Sequence, residues 1–341
     1  MKIRLVLLAL VASSGCPGLS AGTGRAAEPR FALPLDCPVG NACDVVKLTD
    51  LDPGPGLKDY NCGTMLGGEN GHGGTDIAIR DLRAMRDGVT VRAAADGTVL
   101  RTRDEMPDTG VNGSESREAL SARGCGNAVV IGHGDGWQSA YCHLRQGSVT
   151  VKAGQVVRTG DPIAQVGMSG LTELPHLHFQ VNHGTDIVDP FVGTDRAVAC
   201  GVGPRPLWTR EALARLTPYR PVVLRLSGFA ETETNVKTAR EGAFAEGRFR
   251  LCAPKLVFWT EIIGAKINDR ITLTVQGPDG RSTLNQTMTI DRDRAQIFVQ
   301  APIPRTGGAW AAGSYRGTVE LTRGQDVYRS RTTGHAIADG C

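Results

Sequence analysis

Short apolar runs separated by glycine-containing turns recur through the first 200 residues of the chain. Residues 127–132 and 137–143 are two such runs, and the tight turn at 133–136 between them predicts a β-hairpin. Residues 175–181 alternate between two faces and contain strand-favouring Phe and Val, while residues 76–79 form an apolar run after a glycine-rich turn. These patterns predict a mainly β unit built on an antiparallel sheet.

A second pattern begins after Cys200. Residues 201–206 resemble a linker, and residues 209–216 predict a short helix with Thr209 as its N-cap. Six further strands are predicted at residues 222–226, 256–260, 270–275, 287–290, 296–299 and 314–321. This part predicts a small β-sandwich. It carries no catalytic constellation, so we expect an accessory domain for binding or positioning, or a purely structural one.

The first residues predict export. Residues 1–27 combine a basic start with a short apolar run, which is typical of a secretory signal peptide and too short to span a bilayer. Cys16 suggests a lipoprotein cleavage box, but Ser13 replaces the usual Leu, so a free periplasmic or secreted protein is favoured over lipid anchoring. No later apolar run indicates a transmembrane span. The net charge of +3 suits an acidic polymer and does not indicate nucleic acid.

Nine cysteines in an exported chain indicate disulfides. Cys125 and Cys142 lie nearly equidistant from the turn of the predicted hairpin, so we predict that they pair. Cys252 and Cys341 both lie in the C-terminal region and form the second predicted pair. The order of the remaining four, Cys37, Cys43, Cys62 and Cys200, stays open. Zinc ligation by cysteine is the alternative, but no pair has Cys-x-x-Cys spacing.

Four of the seven histidines fall in three short segments. His176 and His178 are two apart on a predicted strand and therefore share a face. A glycine-rich turn could fold His72 back towards Asp76, and His143 ends the return strand of the hairpin. His72, Asp76 and His178 supply the three ligands of a typical catalytic zinc site. The alternatives are satisfied histidines on a polar strand face, and Asp76 capping backbone amides. His133 is predicted to be an exposed loop residue.

The ordered segments resemble zinc metallopeptidases of the M23 family (LytM/lysostaphin type). The family pattern appears as His72-x-Gly74-x-Asp76, Tyr141-x-His143-Leu144 and His176-x-His178. Residues 91–99 and 151–170 also resemble family strands, so the likeness covers roughly residues 60 to 192. Two departures concern substrate fit more than metal binding. Gln180 stands where Glu is frequent, and Glu173-Leu174 stand where Thr-Gly is common.

The resemblance implies that His72, Asp76 and His178 bind one Zn²⁺ ion and that His143 and His176 assist catalysis. It implies an exported zinc metalloendopeptidase that cleaves peptide cross-links of bacterial peptidoglycan through zinc-activated water. One alternative is a non-catalytic wall-binding protein or hydrolase activator, although such members have typically lost metal ligands. An adhesin or carbohydrate-binding protein would leave the histidine segments unexplained.

The combined interpretation divides the chain into five parts: a signal peptide (1–27), an extended segment (28–60), an M23-type peptidase domain (61–200), a linker with a short helix (201–217) and a β-sandwich (218–341). Residues 101–124 are polar and carry no period. We predict that residues 101–124 form a long loop that borders the substrate groove. The alternative is that they form a disordered surface insertion.

Overall fold

Antiparallel β-sheets dominate the computed structural model, which describes residues 28–40, 42–63, 70–195, 200–305, 307–338 and 341. The mainly β prediction is therefore confirmed. The predicted signal peptide, including Cys16, lies outside these described residues. Within them, no helix combines the length and apolar character that a membrane crossing requires.

The first part of the chain builds an eight-stranded sheet, a two-stranded sheet and short helices. Its strands are β1 (Cys43–Lys47), β2 (Thr75–Ile79), β3 (Thr90–Arg92), β4 (Gly97–Arg103), β5 (Asn127–Gly132), β6 (Trp137–Leu144), β7 (Val156–Val157), β8 (Pro162–Gln165), β9 (His176–His183) and β10 (Asp186–Ile187). Its helices are α1 (Leu82–Asp87), α2 (Arg117–Ser121) and a 3₁₀ turn (Gly110–Asn112). The large sheet runs β1-β2-β9-β6-β5-β4-β7, and β10 pairs with β9.

The hairpin predicted from residues 127–143 is β5 and β6. Val129 and Ile131 of β5, Tyr141 of β6 and Phe179 of β9 point into one core and are completely buried. Because side chains alternate along a strand, that same register turns their neighbours towards the opposite face of the sheet. The metal-ligating candidates of β2 and β9 lie on that opposite face.

The segment before residue 60 belongs to the core. Phe31 and Leu35 are almost completely buried, and β1 forms the edge of the large sheet by pairing with β2. The sequence suggested an irregular extended segment here, because β1 has only five residues and lacks a clear alternation. Its apolar side chains find their partners in distant strands, which local pattern does not reveal.

The second part of the chain forms the predicted sandwich. A short helix, α3 (Arg210–Leu216), precedes it and is capped by Thr209 as predicted. Its remaining elements are β11 (Val223–Ala230), α4 (Val236–Arg240), β12 (Arg248–Arg250), β13 (Lys255–Ala265), β14 (Arg270–Gln276), β15 (Ser282–Thr289), β16 (Arg294–Pro304), β17 (Gly313–Arg323) and β18 (Asp326–Ile337). The sheet β11-β13-β16 faces the sheet β12-β18-β17-β14-β15, with apolar side chains of both between them.

The two parts contact each other through apolar and charged side chains. Val46 and Ala78 of the first pack against Val223 and Ile263 of the second. Beside this patch, the buried Arg225 side chain donates to the backbone oxygens of Ile79 and Arg80, at the end of β2. The sandwich is thus anchored to a strand that also carries Asp76.

Four disulfides join the eight cysteines within the described residues. Cys125 pairs with Cys142 and Cys252 with Cys341, as the sequence predicts. The pairs that the sequence left open are Cys37–Cys43 and Cys62–Cys200. The second of these spans 138 positions of sequence and encloses most of the first part of the chain.

Candidate metal centre

Three adjacent strands bring the candidate ligands together. Strand β9 lies between β2 and β6, and His178 is in register with Asp76 on one side and with Cys142 on the other. Since register fixes which side chains meet across a sheet, this pairing places an imidazole directly beside a carboxylate. His143 follows Cys142 and reaches the same face through a left-handed backbone conformation, with φ of 60°.

His72 comes from the glycine-rich turn before β2. A side chain at Gly74 would place its Cβ only 2.4 Å from the backbone oxygen of Phe179, so the close approach requires glycine. The turn folds His72 back over β2, as the sequence suggested, and the Nε2 atom of His72 lies 3.1 Å from Oδ1 of Asp76.

Three donor atoms converge on one point. Nδ1 of His178 lies 2.8 Å from Oδ1 of Asp76 and 3.2 Å from Nε2 of His72. Ligand atoms bound at about 2.1 Å to a tetrahedral zinc ion would lie about 3.4 Å apart. Two imidazole nitrogens and one carboxylate oxygen are also the donors that zinc accepts. The residues therefore fit a zinc ion with three protein ligands.

In His72 and His178, one ring nitrogen faces the converging point and the other makes a hydrogen bond on the far side of the ring. That hydrogen bond decides which nitrogen carries the proton. Nδ1 of His72 lies 2.8 Å from the backbone oxygen of Leu48, which can only accept, so this nitrogen carries the proton. Nε2 of His178 lies 3.3 Å from Oε1 of Gln180. A proton donated there leaves the Nδ1 lone pair of His178 for a metal.

The buried carboxylate is kept ionised by its neighbours. Burial alone would raise the pKa of Asp76, but His176 and His72 beside it outweigh burial and hold this pKa well below its usual range. The pKa of His72 is raised, because Asp76 outweighs the opposing effect of burial on the imidazole. The cluster thus carries the anionic oxygen that a divalent cation requires.

Two further imidazoles lie beside the converging atoms. His143 and His176 have ring centroids 4.5 Å apart. Nδ1 of His143 is 2.8 Å from the backbone oxygen of Ser169, so it donates there and leaves the Nε2 lone pair exposed to the site. Burial holds the pKa of His143 well below its usual range, and His176 and His178 lower it further. His143 is therefore a neutral imidazole at neutral pH.

His176 is oriented in the same way. Its Nδ1 lies 3.0 Å from both the backbone oxygen of Leu174 and the hydroxyl of Thr172. Its Nε2 lies 3.4 Å from Oδ2 of Asp76. Both imidazoles are consequently fixed with Nε2 directed to the site.

An open cavity of about 500 Å³ lies over these five residues. Val111, Arg117 and Gly124 of the 101–124 segment contribute one wall, as the sequence predicted for that segment. The segment is not a featureless loop, since it holds the 3₁₀ turn and α2, anchored by the buried Met106 and Leu120. Further lining comes from both parts of the chain: Val46, Lys47, Leu171, Thr172, Glu173, Leu174, Gln180, Arg240, Ile263, Ala295 and Gln296.

The structure brings all five sequence-predicted site residues to this cavity, His72, Asp76, His143, His176 and His178. Sequence reasoning missed the contribution of the C-terminal part, since Arg240 and Gln296 have no neighbouring motif. It noted Gln180 only as a departure from a family pattern. A polar residue two positions beyond His178, on the same strand face, is the signal that could have identified its role.

The remaining histidines lie away from the cavity. The prediction that His133 is an exposed loop residue is wrong: it is half-buried, with Nδ1 2.7 Å from the oxygen of Asp96 and Nε2 2.8 Å from the Ser139 hydroxyl. The sequence places it beside a turn, but Phe31, from the segment before β1, packs edge-on against its ring. His183 stacks on Trp137.

The candidate site residues lie within a match to a known protein family. The sequence model of Peptidase family M23 matches residues 70–190. A Haemophilus influenzae protein named "Uncharacterized metalloprotease" is 33% identical over 35% of this chain and 20% of its own length. "Peptidoglycan DD-endopeptidase ShyA" of Vibrio cholerae is 33% identical over 32% of this chain and 20% of its own length. "Murein hydrolase activator NlpD" of Salmonella dublin is 30% identical over 36% and 26%, respectively. The chain thus matches only about a fifth to a quarter of these relatives.

Proposed function

We propose, from the premise that residues 70–190 form a domain of Peptidase family M23, that this protein is an exported zinc metalloendopeptidase. Its proposed substrate is the peptide cross-link of bacterial peptidoglycan. The observation that carries the proposal is the convergence of His72 Nε2, Asp76 Oδ1 and His178 Nδ1 below an open cavity. These ligand atoms all lie within 4.8 Å of one another.

The three converging atoms would hold the zinc ion. When bound, zinc polarises a carbonyl and makes water a better nucleophile near neutral pH. His143 presents an Nε2 lone pair that can accept a proton from an attacking water, because its Nδ1–H is held by Ser169. His176, fixed by Thr172 and Leu174, presents its Nε2 lone pair to the site and can accept a hydrogen bond from the same water, which orients it.

The substrate proposal draws on the family match and on the names of similar proteins. One is named a peptidoglycan DD-endopeptidase, and the cavity is an open groove that an extended peptide could enter. Another is named a murein hydrolase activator, so activation of a separate hydrolase is the alternative. That all five site positions are filled favours catalysis, because an activator requires no aligned water-handling imidazoles.

Digestion of purified peptidoglycan by the zinc-loaded protein tests the proposal, with the released muropeptides identified by mass spectrometry. We expect cross-linked dimers to disappear and monomers to accumulate. His178→Ala and Asp76→Ala should abolish both zinc binding and release. His183→Ala is the matched control, since it removes a histidine from the same strand but away from the cavity, and it should remain active.

The outcomes separate the two functions. Intact dimers despite one bound zinc per protein would contradict the endopeptidase proposal. Stimulation of a separate wall hydrolase by such an inactive protein would support the activator alternative.

A further inference from the structure

One wall of the cavity is built by the C-terminal sandwich. Arg240 at the end of α4, Ile263 of β13 and Gln296 of β16 all line the space above the metal-ligating candidates. A domain tethered only by a linker would not supply such a wall. Substrate that fills the cavity therefore contacts both parts of the chain.

Arg240 is held rigidly at the junction. Its Nε and Nη2 donate to Oε1 of Glu261, at 3.0 and 2.6 Å, and its Nη1 donates to the backbone oxygen of Glu173. Glu261 is completely buried and also contacts Arg225, 3.1 Å away. Partners among the described residues thus engage three of the five N–H groups of Arg240, which leaves two for a ligand.

The charged groups of the cavity favour an anion. Apart from Asp76 and the histidines, the charged side chains lining it are the cations Lys47, Arg117 and Arg240 and the single carboxylate Glu173. Glu173 is itself paired with Arg117. Behind Arg240, the Glu261 carboxylate is shared with Arg225, so it does not serve Arg240 alone. Arg225 also interacts with Asp44 and Asp81, which lie on the side away from the cavity lining.

We propose that Arg240 and its surroundings form a subsite for a free carboxylate of the substrate. The guanidinium group suits a carboxylate because its N–H groups are fixed in one plane. Leu171, Leu174 and Ile263 add an apolar surface beside it, which suits a small aliphatic side chain on the same peptide. The inference rests on the proposed peptidase function and adds a substrate feature to it.

The test compares cross-linked muropeptide dimers with their carboxyl groups free or converted to amides. For the zinc-loaded full chain, we expect kcat/KM to be about tenfold or more higher for the free form, the range of a hydrogen bond to a charged group. Arg240→Gln should reduce this preference to near one, mainly through KM. Arg281→Gln is the control, because Arg281 lies in an exposed turn of the same sandwich, and it should retain the preference.

Equal rates for the two dimers with the unmodified protein would overturn the subsite, whatever any variant does. An undiminished preference in Arg240→Gln would also overturn it. If that variant fails to fold, Arg240→Lys replaces it: the single ammonium should weaken the preference without reversing it.

Calorimetric binding of the same dimers separates this proposal from the peptidase function. Arg240-dependent binding of the free form without cleavage of either dimer would support the subsite and contradict the endopeptidase. Equal cleavage of both dimers would support the endopeptidase and contradict the subsite.

Discussion

At the scale of single residues, a neutral imidazole offers one lone pair, so the partner of one nitrogen decides what the other can bind. In His178 that partner is the amide oxygen of Gln180, whose Nε2 in turn donates to Oδ1 of Asn182. A neutral acceptor can fix the ring as a carboxylate would, without adding charge to the site.

Gln180→Ala should therefore weaken zinc binding by about tenfold to a hundredfold, as loss of a ligand-orienting partner typically does. Competition with a chromophoric chelator measures this affinity without requiring activity. Asn182→Ala is the control, because it touches Gln180 and not the ring, and its effect should be smaller. Unchanged affinity in Gln180→Ala would show that the ring is oriented by the sheet alone.

Asp189 supplies a second prediction at this scale. Burial raises its pKa to about 7, although the Phe191 N–H that it accepts opposes this, and Asp59 raises it further. Its ordinary value is about 3.9, so the folded state holds the proton more tightly than the unfolded state. The stability that this group contributes is complete below about pH 4 and is lost as pH rises through about 7.

Asp189→Asn should remove that pH dependence. Between pH 5 and 8 the free energy of unfolding of the unmodified protein should fall by roughly 2 kcal/mol more than that of the variant. Urea unfolding at the two pH values measures the difference. Asp326→Asn, at the exposed first residue of β18, should behave as the unmodified protein. Parallel pH profiles for Asp189→Asn and the unmodified protein would contradict the assignment.

The site residues could be predicted because each lies within five positions of another feature of its motif, such as a glycine-rich turn or a second histidine. His133 shows the limit of that approach. Its turn is local, but its burial depends on Phe31, more than one hundred positions earlier. A single sequence does not reveal which distant side chain covers a turn.

At the scale of elements, the hairpin of β5 and β6 was predictable because its turn is short and its arms are apolar. The edge strand β1 and the strand β18 were not predicted. The exposed and half-buried positions of β18 carry mostly polar side chains, including the two arginines Arg329 and Arg331, and its buried positions are the small residues Gly334 and Ala336. The strand therefore lacks the alternation of apolar and polar residues that would predict it. Polar edge or surface strands are common in sandwiches and weaken the sequence signal.

The Cys125–Cys142 disulfide joins the loop before β5 to strand β6, which also carries His143. It closes a loop of 17 positions, so its removal should lower the free energy of unfolding by about 3 kcal/mol. The double variant Cys125→Ser/Cys142→Ser tests this by urea unfolding. Zinc affinity should change much less than in Gln180→Ala, because the three ligand atoms lie on β2, β9 and the preceding turn. A loss of zinc binding comparable to that in His178→Ala would contradict this separation.

At the scale of the whole molecule, one buried carboxylate of the sandwich holds two arginines that contact the backbone next to β2 and β9, the strands that carry Asp76 and His178. Glu261 holds Arg225, which donates to the end of β2, and Arg240, which donates to the segment before β9. These residues are far apart in sequence and form no motif. This is why the sequence indicated a separate accessory domain but not its contribution to the cavity.

Glu261→Gln should cost about 3 to 5 kcal/mol of unfolding free energy, since it leaves two buried guanidinium groups without their carboxylate. Tryptophan fluorescence during urea unfolding measures this, because Trp208 lies in the first part and Trp259 in the sandwich. Glu320→Gln, which breaks the more exposed pair with Arg329, is the control and should cost less than about 1 kcal/mol. Equal losses in the two variants would contradict a coupling role for Glu261.

The Cys62–Cys200 bond determines what happens to the molecule after proteolytic cleavage. A single cut within residues 104–124 would leave His72 and Asp76 on one fragment and His143, His176 and His178 on the other. Of the four disulfides within the described residues, only Cys62–Cys200 would still join the two fragments. The nicked molecule would then be a covalent two-chain protein with its metal centre divided between the chains. It would run as one band without reductant and as two bands with it.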